Sequence, residues 1–123
     1  MILLLAAMSG CGKEYEQKKL GKDSPEGQRV AAMVQAMRQA GEKGVDETLS
    51  KQAAGGLTDP QRQSLRAALM ELIQAASVEL DRFDQFGPQV YRATFRLSSG
   101  GASRTAAFLL VSQGAELRWA GRN

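Results

Sequence analysis

VYRATFRL, residues 90–97, alternates with a period of two. Tyr91, Ala93, Phe95 and Leu97 share one face, and Arg92, Thr94 and Arg96 share the other. Successive side chains of an extended chain point to opposite faces, so this is the pattern of a half-buried strand. Gly87-Pro88 stops the chain before it, and Ser98-Ser99-Gly100-Gly101 after it predicts a hairpin loop. Beyond that loop, TAAFLLV (105–111) is apolar on both faces and predicts a central strand. Gln113-Gly114 turns the chain again, and Ala115, Leu117 and Trp119 then alternate with Glu116 and Arg118. Upstream, Val78 and Leu80 alternate with Glu79 and Asp81. Phe83 and Phe86 break that alternation, so a bulge or turn is expected near residues 82–84.

Before Ala76 the period is helical. Ser24-Pro25-Glu26 supplies a capping hydroxyl, a proline suited to the first turn, and a carboxylate for the positive end of the dipole. Val30, Met33, Val34 and Met37 follow at helical spacing, and Gly41 is a plausible stop. The two methionines read as core, with an adaptable binding surface the lesser reading. A weaker second helix is expected over 45–54, where Val45, Leu49 and Ala53 recur by four before Gly55-Gly56. Thr58-Asp59-Pro60 opens a third, with Leu65, Leu69, Leu72 and Ile73 as its stripe. Three helices followed by about four strands make an α+β domain, with the helices on one face of a curved antiparallel sheet. No internal repeat and no second domain is found.

The other informative stretch is MILLLAAMSGC (1–11). An apolar run, the small residues Ser9 and Gly10, and the lone cysteine resemble the end of a bacterial lipoprotein signal peptide. Met8 stands where that family usually has Leu. No Lys or Arg precedes Lys13, whereas such leaders normally open with positive charge. The resemblance implies that Cys11 becomes the lipidated first residue of the mature chain, its thiol forming the thioether. The run is too short to cross a hydrocarbon core roughly 30 Å thick. The expected organisation is a signal peptide at 1–10, the lipidated cysteine and a flexible, charge-dense tether at 11–23, and one α+β domain at 24–123. Gly12 follows the cysteine where an Asp tends to retain lipoproteins in the inner membrane. The resemblance therefore implies the periplasmic face of the outer membrane in a Gram-negative cell.

The domain is similar to the nuclear transport factor two-like (cystatin-like) superfamily, in particular to its small bacterial lipoproteins. That rests on the element order and on Asp46 to Leu49, Thr58-Asp59-Pro60 and the closing Glu116-Leu117-Arg118-Trp119. It implies a cone-like space between helices and sheet, where enzymes of the superfamily place Asp, His or Tyr.

Composition narrows the chemistry. The chain has 123 residues, 16 Lys and Arg against 13 Asp and Glu, and no histidine. A net charge of +3 is no nucleic-acid signature but permits weak attraction to anionic lipid. With Cys11 assigned to lipid, no disulfide forms within the mature domain, and zinc, haem and histidine-based catalysis lose their usual groups. Neither metal nor cofactor is expected, no nucleophile–base spacing stands out, and no enzyme activity is expected. Two residue sets remain. Tyr91, Phe95 and Trp119 should face the helices, as core or as the lining of a small pocket for an apolar lipid or peptide. Arg92 and Arg96 share a strand face that Arg104 and Arg118 are expected to extend, as a solvated face or as a contact for anionic headgroups or an envelope protein. The expected partners are the membrane, through lipid on Cys11, and one of these.

Overall fold

The computed structural model describes residues 17–123. Cys11, the leader and the start of the tether lie outside the described residues, and with them the lipidation reading.

Three helices come first after a short strand. Helix α1, Pro25–Ala40, starts where Ser24 Oγ accepts from Gly27 N at 3.1 Å, and it buries Val30, Val34 and Met37. Helix α2, Glu42–Lys51, follows after Gly41 alone, which sits at a φ of 71° that a side chain rarely adopts. The tight corner brings the two helices together at Gly44, where a Cβ would lie 2.6 Å from the Met37 carbonyl oxygen. Helix α3, Asp59–Gln74, opens with a capping box: Gln61 N donates to Thr58 Oγ1, and Thr58 N donates to Gln61 Oε1. It buries Leu65, Ala68, Leu69 and Leu72 and carries no basic residue in its last turn. Arg38 of α1 supplies that charge, donating to the carbonyls of Leu72 at 2.6 Å, Ala75 at 2.9 Å and Ala76 at 3.2 Å.

The sheet is an antiparallel meander of five strands in sequence order: β1 Gln17–Lys19, β2 Ser77–Phe86, β3 Val90–Ser99, β4 Ala102–Gln113 and β5 Glu116–Arg122. The α+β class holds, but the sheet has five strands rather than about four. The added strand comes from the stretch expected to be tether. Its side chains carry no apolar alternation, and main-chain pairing to residues 84–86 holds it, continued by Leu20 N and Gly21 N donating to Phe83 O. The β3–β4 hairpin turns on Gly100 and Gly101, both at positive φ, as a two-residue loop matched to strand twist requires.

Two irregularities decide which side chains face the helices. The register of β2 on β3 slips between Leu80 and Arg82, so the extra residue is Asp81, not one of residues 82–84. Strand β2 runs through that bulge to Phe86, and Phe83 regains the inner face opposite Ala93. A second slip makes Ala120 the extra residue of β5. Helix α2 ends at Lys51, not Ala54, because the chain there lies along the edge strand. Trp119 N donates to Gln52 O at 2.8 Å, and Ala54 N donates to Trp119 O at 2.7 Å. The edge of β5 is thereby covered.

The core is single-sided. It joins the buried faces of all three helices to Leu80, Phe83, Tyr91, Ala93, Phe95, Leu97, Ala106, Phe108, Leu110, Leu117 and Trp119. Trp119 is fully buried and is the largest member. Truncating it (Trp119→Ala) should cost about 3–5 kcal/mol in urea denaturation. Arg38→Ala should cost about 2 kcal/mol, since it leaves the end of α3 without charged donors. Arg38→Lys should recover less than half, because a compact ammonium lacks the planar fork that spans three carbonyls.

Candidate interaction face on the outer sheet

The sheet has a second face, turned away from the helices, and the strand register orders it in rows. Directly opposite residues of an antiparallel pair share a face. One row runs Phe86, Val90, Val111, Arg118. The next runs Lys19, Asp84, Arg92, Leu109, and the third Arg82, Thr94, Ala107. Phe86, Val90, Leu109 and Val111 are half-buried and stand outside the core that joins helices to sheet. The outer face thus has an apolar patch at the end where the chain enters β1. Lys19, Arg82 and Arg118 border it.

Asp84 lies within this face and is fully buried. Its Oδ2 takes Arg92 Nη2 at 3.3 Å and faces Arg82 Nη2 at 3.7 Å. The Arg92 guanidinium also stacks 4.9 Å from the Phe86 ring centroid. Asp84 Oδ1 and Arg92 Nε have no hydrogen-bond partner among the described residues. A carboxylate out of water holds its cations firmly, because screening is weak there. The local balance is one buried acid beneath three cations, Lys19, Arg82 and Arg92. Lys19 is exposed and forms no ion pair among the described residues.

The residues proposed for a cone pocket are core. Phe95 and Trp119 stack at 6.3 Å, Phe108 meets Trp119 edge-on at 5.4 Å, and Tyr91 stacks on Phe83 at 5.5 Å. These rings fill the space between helices and sheet. Concave surface lies elsewhere, as in an open groove of about 360 Å³ lined by Arg29, Met33, Lys51, Gln52 and Leu117. Met37 is core and Met33 half-buried, as the helical spacing implied.

The four arginines do not form one cluster. Arg92 and Arg96 share the outer face, but Arg96 is taken by Asp81 at 3.2 Å. Arg104 pairs with Leu97 across the hairpin and therefore lies on the helix face, 2.9 Å from Glu71 of α3. Glu71 also holds Arg122 at 2.9 Å. The basic-face reading put Arg104 on the wrong side because residues 105–111, apolar on both faces, leave the register of β4 undetermined. Arg118 reaches the outer face at the far edge and is spent on Glu116 and on the Lys51 carbonyl. Away from the sheet, Arg66 bridges Glu42 and Asp46 of α2, and the hydrogen bond to Glu42 chiefly pushes its guanidinium further above the usual range. It stays cationic at any working pH and is no switch.

Asp84, Arg82 and Lys19 were not singled out by sequence. The one available signal was an aspartate between Phe83 and Phe86, and its face depends on the bulge at Asp81. Comparison with protein families, curated proteins and solved structures finds no match to this chain.

Removing the buried acid should be costly. Asp84→Ala should destabilise the domain by about 3 kcal/mol, because Arg92 is left largely desolvated without its partner. The double variant Asp84→Leu/Arg92→Met should recover most of that loss. Arg96→Ala should cost under about 1 kcal/mol, because the Arg96 side chain is half exposed. Urea midpoints at constant m-value check all three.

Proposed function

We propose that the protein is a lipid-anchored lipoprotein of the bacterial cell envelope, whose α+β domain binds rather than catalyses. The observation that carries this is the leader: the apolar run over residues 2–7, then Ser9, Gly10 and the lone Cys11. Acyl chains on that cysteine, at about 0.8 kcal/mol per buried methylene, hold a protein at a membrane surface once more than one chain is present. Gly12 favours the periplasmic face of the outer membrane in a Gram-negative cell. Three helices laid on an antiparallel meander support the likeness to the nuclear transport factor two-like superfamily. The alternative reading, an apolar ligand held inside a cone, is weakened because Tyr91, Phe95 and Trp119 are packed against one another and against Phe83 and Phe108. A binding role then falls to the surface.

Mass spectrometry of the protein made in a bacterium tests the anchor. The expected product begins at Cys11 and carries acyl mass, and Cys11→Ser retains residues 1–10 without it. A native chain that begins at Met1 with an unmodified thiol overturns the proposal.

A further inference from the structure

We propose that the outer sheet face docks on the anionic phospholipid surface to which the chain is tethered. The apolar patch Phe86, Val90, Leu109 and Val111 would sit at the headgroup–acyl boundary, and Lys19 and Arg82 would meet lipid phosphates. This rests on the lipoprotein reading, which it deepens by naming the surface that the anchored domain presents.

Three observations carry it. The first is reach. Strand β1 begins at Gln17, six positions after Cys11, and Gln17 pairs with Phe86 at the edge of the apolar row. Six residues extend at most about 20 Å, so a lipid on Cys11 keeps this end of the sheet close to the bilayer. The second is chemistry. Outer-face positions of a half-buried sheet are normally polar, yet four large apolar side chains gather here, outside the core. The third is charge. Asp84, the one acid in the first three rows, is buried under Arg82 and Arg92, Asp81 and Glu79 lie further along the strands, and Glu116, beside the apolar row, is neutralised by Arg118, which leaves Lys19 and Arg82 as the cations of the border. An apolar centre with a basic border complements an anionic interface, where each Lys or Arg adds attraction that salt screens.

The arrangement differs from the cluster suggested by alternation. Arg96, Arg104 and Arg118 each hold a carboxylate of their own. Lys19, from the edge strand, and Arg82, beside the bulge, take their place.

The test is co-sedimentation of the mature chain, residues 11–123 without lipid, its folding checked by the near-ultraviolet signal of Trp119. Vesicles of phosphatidylglycerol with phosphatidylcholine are compared with phosphatidylcholine alone. Binding is expected on the anionic vesicles only and should fall as salt rises. Lys19→Gln and Arg82→Gln should each lower the partition coefficient roughly fivefold, Val90→Ser should lower it too, and Arg29→Gln on α1 should leave it unchanged. No binding, equal binding to both vesicles, or a loss with Arg29→Gln as large as with Lys19→Gln overturns the docking face. The mass of Cys11 in the native protein is read separately, so an unlipidated cysteine and a non-binding face are distinct failures.

Discussion

Trp119 is held at both ends of its chemistry. Its indole fills the centre of the core against Phe95 and Phe108, and its backbone bonds residues 52–54. The ring alone would bury area. The main-chain bonds alone would cover an edge. Together they make Trp119 the central tie between the helical layer and the last strand, beside Arg118 on the Lys51 carbonyl and Arg122 on Glu71. The indole Nε1 has no partner among the described residues.

Arginine does most of the remaining stitching, through carbonyls as much as carboxylates. Arg38 closes the end of α3, Arg62 donates to the Leu49 carbonyl at 2.7 Å near the end of α2, and Arg118 donates to the Lys51 carbonyl. Helix C-termini expose carbonyls that their own amides cannot satisfy. A fork of donors from a neighbouring element satisfies them and fixes the spacing between elements. Much of the arginine content is therefore structural. What is left over on the sheet's outer face is small in number but collected at one end, beside the chain's approach to β1.

That end carries the docking face proposed above. The buried Asp84 fixes Arg92 and attracts Arg82 within a face that carries four large apolar residues. The interior, by contrast, is occupied by packed rings. The structure turns attention from the space between helices and sheet to the surface behind the sheet.

The local patterns were legible. The period-two run of residues 90–97, the capping residues Ser24 and Thr58 and the Gly100-Gly101 turn each constrain a few neighbouring dihedrals, and those constraints are the same in any tertiary setting. From them followed the helix–helix–helix–strands order and the burial of Tyr91, Phe95 and Trp119. Three things required the folded chain. The strand of residues 17–19 exists through hydrogen bonds to residues 84–86, and a main-chain ladder leaves no mark on side-chain periodicity. The bulge at Asp81 sets the faces of Phe83 and Asp84, and a one-residue slip reverses every side chain beyond it. The separation of Arg104 from Arg92 rests on a register between strands, which is a property of two segments and not of either one.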